Sequence, residues 1–144
     1  MSGSSPLRLM VHVDGGARGN PGPAAIAAVV TGEDGELLEE RGERIGPATN
    51  NVAEYRALLL GIERAAALGA AEVELVGDSE LIVRQVEGRY KVKDAALREL
   101  HGQVRRALDG FEGWSIRHVR RDANADADRL VNATLDGAAP DPAV

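Results

Sequence analysis

The chain has no cysteine. That excludes disulfides, thiolate-held zinc and a cysteine nucleophile, and it fits a reducing compartment. Aromatic residues are nearly absent: Trp114, Tyr55, Tyr90 and Phe111 are the whole set, 3% of the sequence. A core must therefore be filled by Val, Leu, Ile and Ala, and a hydrophobic content of 44% supplies them. No apolar run approaches the ~18 residues that suggest a membrane span. The opening MSGSSPLR lacks the apolar centre of a signal peptide. The expectation is a soluble, cytoplasmic protein with no membrane partner. Positive charge is also short, with 17 Lys and Arg against 23 Asp and Glu and a net charge of −6. Lysine occurs only as Lys91 and Lys93. This balance argues against tight, non-specific coating of nucleic acid, which needs a basic footprint. The arginines can still grip phosphate bidentately, and cations held by the acids would offset part of the negative charge.

What is present fits one domain of 144 residues. Residues 7–14 (LRLMVHVD) read as a buried strand ending at Gly15-Gly16. The Gly- and Pro-dense ARGNPGPA is a turn. Residues 24–31 are a second strand, the Glu33-Asp34-Gly35 segment a hairpin turn, and residues 35–46 a third, more exposed strand. Val52, Tyr55, Leu58, Leu59, Ile62 and Ala66 follow helical spacing over 50–68, and Gly69 stops that helix. A strand over 72–78, a short helix ended by Gly88, and a helix from an Asp94 cap to about Leu108 come next. A strand over 113–120 leads to a closing helix capped by Asp122 or Asn124. The order βββαβααβα predicts an α/β fold: a five-stranded mixed sheet, three antiparallel strands then two parallel, with helices on both faces. Right-handed crossovers place the fourth strand beside the first.

That topology gathers carboxylates. Asp14 and Asp78 end the strand-like runs VHVDGG and VELVGDS, and come to one sheet edge on neighbouring strands ~5 Å apart. Glu54 lies early in the long helix and Asp128 early in the last one. Each acid has a local explanation: Asp14 a turn, Glu54 a capping box begun by Asn51, Asp78 an N-cap, Asp128 a helix-dipole partner. A metal site explains all four positions at once. Gathered carboxylates repel and raise each other's pKa, a cation offsets that cost, and hard oxygen ligands select Mg²⁺ or Mn²⁺.

These segments resemble the type 1 ribonuclease H family over roughly residues 7–135. DGGARGNPGPAA resembles its first-strand signature, TNNVAEYRAL its second motif, GDSELIVRQ its third and ADADRLVN its fourth. The resemblance implies endonucleolytic cleavage of the RNA strand of an RNA–DNA hybrid, leaving 5′-phosphate and 3′-hydroxyl ends. It implies two Mg²⁺ ions, with Mn²⁺ as a substitute, held by Asp14, Glu54, Asp78 and Asp128. Asp126 is a rival to Asp128, but two residues turn a helix ~200°, and the motif favours Asp128. Asn20, Thr49 and Asn50 match residues that meet the hybrid's backbone, 2′-hydroxyls and a DNA-strand phosphate. Gly15 and Gly16 would let backbone approach sugar, and Ser79 joins the substrate set. Asn50 and Asn51 serve equally as helix caps, and Arg18 as a solvated loop residue or a phosphate contact.

Two departures stand out. Relatives carry a loop histidine before the fourth acid, whereas RRDANADA has none. Of the two candidates to replace it, Arg121 and His118, Arg121 is the better stand-in, able to hold a phosphate or aid product exit but not to act as general base. His118 reads as an ordinary strand histidine. The basic protrusion of some relatives is reduced here to Arg89, Tyr90, Lys91 and Lys93, which predicts weaker hybrid binding. With about six residues before the first strand, no N-terminal hybrid-binding domain is expected. Residues 1–136 are expected to form the catalytic domain of a monomer. Residues 137–144 are expected to be a flexible tail or linker stub, so the chain can be a module of a longer multidomain polypeptide. The alternatives are cleavage of double-stranded RNA by the same fold, whose A-like shape is close to the hybrid's, or a catalytically silent nucleic-acid-binding module.

Overall fold

The computed structural model describes residues 7–137. β1 (Arg8–Ala17), β2 (Gly22–Thr31) and β3 (Leu37–Ala48) form an antiparallel meander. α1 (Asn50–Ala67) leads to β4 (Glu72–Gly77), followed by α2 (Glu80–Glu87) and α3 (Ala95–Leu108). β5 (Gly113–His118), a 3₁₀ turn (Arg121–Asn124) and α4 (Ala125–Leu135) complete the described chain. The sheet order is β3-β2-β1-β4-β5, with β4 parallel to both β1 and β5. This is the five-stranded mixed sheet expected from the element order. The proposed tail lies almost wholly outside the described residues.

The main core lies between the sheet and the helices α1, α2 and α3. Leu9, Val11 and Val13 of β1 meet Ile26, Ala28 and Val30 of β2 and the apolar stripe of α1. Tyr55 is fully buried there, and its hydroxyl donates to Gln85 Oε1 at 2.6 Å. α4 covers the opposite face with a smaller cluster of Ala25, Ala27 and Val131. Helices on both faces bury the central strands on both sides, so β2 reads as a near-continuous apolar run rather than an alternating one.

Three local expectations are corrected. β1 does not stop at Gly15-Gly16: Gly15 pairs with Ile26, Gly16 with Ala25 and Ala17 with Ala24. Ladder pairing to β2 overrides the weak strand propensity of glycine. The helix caps are Thr49 and Ser79, whose side chains accept from Val52 N and Ile82 N. Asn51 and Asp78 therefore do not cap. Asn124 sits at the start of α4 without making a capping bond, because its side chain is engaged elsewhere. The Asp94 cap is as expected, accepting from Leu97 N at 3.0 Å.

Candidate active site

The strand registers put two acids side by side. His12 of β1 pairs with Val76 of β4. Two residues further on, Asp14 is level with Asp78, just past the last residue of β4. Asp14 faces Ala27 across the β1–β2 ladder, and Ala27 packs on Val131 of α4. Strand alternation therefore turns Asp14 toward α4. Asp128, in the first turn of α4, comes within hydrogen-bonding reach of it.

Glu54 arrives from the other face. Its Oε1 accepts the backbone N–H of Gly15 at 2.7 Å. A Cβ on Gly15 would lie 2.3 Å from the carbonyl oxygen of Ala53, so glycine is what lets α1 lie this close to β1. Gly16 is open by comparison, with only Val131 at 3.8 Å from such a Cβ. One carboxylate oxygen from each of Asp14, Glu54 and Asp78 lies within 4.8 Å of the other two.

Water is largely excluded from the centre of this cluster: Asp14 is only 7% exposed. Burial, followed by the charges of Asp78 and Asp128, pushes its carboxyl up to about 7, and Arg121 pulls the other way. Glu54 is pushed well above the usual carboxylate range, first by burial and then by Asp14 and Asp78, while the Gly15 N–H opposes the shift. The protein thus holds Asp14 and Glu54 where their charged forms are disfavoured. The donors are all carboxylate oxygens, with no imidazole or thiolate among the clustered groups. Hard oxygen ligands with excess negative charge suit a divalent cation of the Mg²⁺ and Mn²⁺ kind, and Asp14, Glu54 and Asp78 can hold a metal ion.

The acids open into a cleft of about 410 Å³. Gly15, Gly16, Asn50, Ser79, Arg121 and Asp128 line it together with the three clustered acids. Asn20 and Thr49 do not line it. Thr49 caps α1. Asn20 accepts the Asn50 N–H at 3.0 Å, and Asn50 in turn accepts the Ala17 N–H at 2.9 Å. These bonds fasten the β1–β2 turn to the start of α1, at the rim. Asp126 turns away and pairs with the exposed Arg129, which leaves Asp128 as the α4 acid of the cleft. His118, the last residue of β5, is outside the lining.

Arg18, Asn51 and Asn132 also line the cleft. Arg18 is tethered to Asp136 at 2.6 Å. Sequence reasoning passed over Asn132, although it stands four residues after Asp128 on the same helix face. It also missed the buried Asn124, whose Nδ2 donates to Val13 O at 2.9 Å and to Asp78 Oδ2 at 3.0 Å. No spacing pattern announces that contact, because it depends on how the turn before α4 folds against the sheet.

With this geometry established, comparison with known proteins gives a consistent match. Residues 12–134 match the family described as Reverse transcriptase-like. The chain is 46% identical over 131 residues to Ribonuclease HI of Halobacterium salinarum, covering 91% of this chain and 66% of that protein. It is 44% identical over 134 residues to the Bifunctional protein Rv2228c of Mycobacterium tuberculosis, covering 92% of this chain but 37% of that one. The chain thus spans about two thirds or less of these relatives' own lengths. Among solved structures, LC11-RNase H1 in complex with RNA/DNA hybrid superposes with a TM-score of 0.86 at 44% identity, covering 90% of this chain and 98% of that one.

Proposed function

The chain belongs to the ribonuclease H family, and from that premise we propose that it is an endonuclease hydrolysing the RNA strand of RNA–DNA hybrids. The observation that carries this reading is the convergence of Asp14, Glu54 and Asp78 from β1, α1 and the end of β4 to within 4.8 Å, with Asp128 beside them. Such a cluster, half sheltered in an open cleft, fits phosphodiester hydrolysis: the acids have a cation-binding role and the open side admits a nucleic-acid backbone. The LC11-RNase H1 complex supports the hybrid as the substrate.

In this reading Asp14, Glu54, Asp78 and Asp128 hold two Mg²⁺ ions. Bound there, a divalent cation would supply a water of lowered pKa and charge stabilisation for a leaving 3′-oxygen, the chemistry that yields 5′-phosphate and 3′-hydroxyl ends. The chain's own residues do the positioning. Glu54 is anchored by the Gly15 N–H. Arg121 stands exposed at the cleft and places a fixed positive charge near Asp14. It can hold a phosphate oxygen and cannot take a proton from water. Gly16, Asn50 and Ser79 offer backbone amides and short polar side chains to the ribose–phosphate chain, the groups that fix register on a nucleic acid. Recognition of the 2′-hydroxyl there distinguishes RNA from DNA. Asn20 and Thr49 act from the rim, through the turn and helix end that carry Asn50.

Digestion of end-labelled hybrid, double-stranded RNA and double-stranded DNA in Mg²⁺ tests the proposal. The expected result is internal cleavage of the RNA strand of the hybrid, abolished by EDTA. Equal cleavage of double-stranded RNA would replace hybrid specificity with recognition of A-like shape, and no cleavage of any duplex would leave a binding module.

A further inference from the structure

We propose that Asn124 is a positioning residue that pins the Asp78 carboxylate in its metal-binding pose, an inference that rests on reading the acidic cleft as the catalytic site. Asn124 is 1% exposed and lies on the turn between β5 and α4, four residues before Asp128. Its amide nitrogen donates to Asp78 Oδ2 at 3.0 Å and to the carbonyl of Val13, the residue before Asp14, at 2.9 Å. Both partners are pure acceptors, so the chemistry fixes which end of the amide faces them. The other end finds nothing: Asn124 Oδ1 is buried without a hydrogen-bond partner. An unpaired buried carbonyl is destabilising, and Asn124 does not recover that cost by capping α4. Its two N–H bonds are therefore the only polar work the side chain performs.

Those bonds join three of the acid-bearing segments. One amide links the backbone beside Asp14, the carboxylate of Asp78 and the start of the helix that presents Asp128. Asp78 follows the last paired residue of β4, where the ladder no longer restrains it. Asn124 supplies the missing restraint. A carboxylate held through one oxygen keeps its place against the repulsion of Asp14 before a cation arrives. Supporting bonds of this type around metal ligands are worth roughly 10–100-fold in metal affinity or activity.

The test uses Asn124→Leu, which keeps the γ-branched side-chain shape and removes both donors, and Asn124→Ala, which removes them without adding bulk, each checked for native fold by circular dichroism. Mn²⁺ binding is measured by calorimetric titration without nucleic acid, and kcat and KM are measured on a hybrid at saturating Mn²⁺. The expected result is Mn²⁺ affinity reduced roughly 10–100-fold, with kcat reduced and the KM for hybrid within twofold of the parent. A folded variant with Mn²⁺ affinity within twofold of the parent overturns the proposal, whatever its kcat. Failure of both variants to fold also overturns it, by assigning Asn124 a purely structural role. If the parent itself does not cleave hybrid, the proposed function fails, while the Mn²⁺ titration still decides the role of Asn124.

Discussion

Glu54 of α1 accepts the backbone N–H of Gly15 on β1 at 2.7 Å, one residue beyond Asp14. A helix acid is thereby fastened to the strand that carries its partner acid. The bond exists because the two backbones nearly touch: the space for a Gly15 side chain is filled by the Ala53 carbonyl.

Replacing Gly15 tests that contact. Gly15→Ala places a methyl 2.3 Å from a backbone oxygen, which cannot rotate aside as a side chain would. Overpacking of this kind costs about 1–3 kcal/mol. Urea denaturation is expected to show that loss. Cleavage is expected to fall further than stability explains, because α1 must shift and carry Glu54 with it. An alanine variant with parental stability and rate would show that α1 relaxes freely.

Asp14→Asn should separate stability from activity. The ionised carboxylate is buried among like charges, so in EDTA at pH 8 the neutral amide is expected to stabilise the fold by roughly 1–3 kcal/mol. Cleavage in Mg²⁺ should fall by at least ~10², since a metal's charge stabilisation is worth several kcal/mol. Thermal melts in EDTA and single-turnover assays read the two effects separately. A variant less stable than the parent in EDTA would contradict the electrostatic reading.

The same shifts set a pH dependence for the metal-free protein. Asp14 titrates from 3.8 in the unfolded chain to about 7 in the fold, so the native state holds the proton more tightly. Well below pH 3.8 both states are protonated and no penalty applies. As pH rises from 4 to 7 the unfolded chain ionises first, and this group's contribution to stability falls. Glu54 acts in the same direction. Metal-free stability should therefore drop across this window, and the gain in Tm on adding Mg²⁺ should grow between pH 5 and pH 8. Melts in matched buffers with and without Mg²⁺ check both trends, and a pH-independent Mg²⁺ gain would refute them.

Hybrid binding should depend weakly on salt. The segment between α2 and α3 offers Arg89, Lys91 and Lys93, and Arg89 already lies 3.6 Å from Glu87. Arg18, at the cleft, is paired with Asp136. Each phosphate neutralised contributes about 0.7–0.9 to the log–log slope. A slope of magnitude no more than about 3 is expected for the catalytically silenced Asp14→Asn protein. A slope near those of strongly basic nucleic-acid binders would mean that further arginines reach the backbone.

Much of this site was legible in one dimension because its logic is periodic. Alternation and crossover handedness put Asp14 and Asp78 on adjacent parallel strands, and the apolar spacing of Val52, Tyr55, Leu58 and Leu59 placed Glu54 early in a helix. Two residues of helical rotation separated Asp128 from Asp126, which faces Arg129 instead. Local chemistry was less decisive where several polar residues crowd a helix start. Thr49 and Ser79 took the caps, freeing Asn50 to tie the β1 end and Asp78 to face the cleft. The extension of β1 through Gly15 and Gly16 was hidden because glycine signals a turn locally, whereas pairing with Ala25 and Ile26 is a long-range gain.

The order and kind of the elements, the apolar faces and the identities of the acids follow from the sequence by itself, since they depend on spacing along the chain. The closeness of the acids, the raised pKa of Asp14 and Glu54, the reason for Gly15 and the grip of Asn124 on Asp78 were decided only in three dimensions. Each depends on distance and on exclusion of water between segments remote in the chain, and neither quantity is a property of any residue alone.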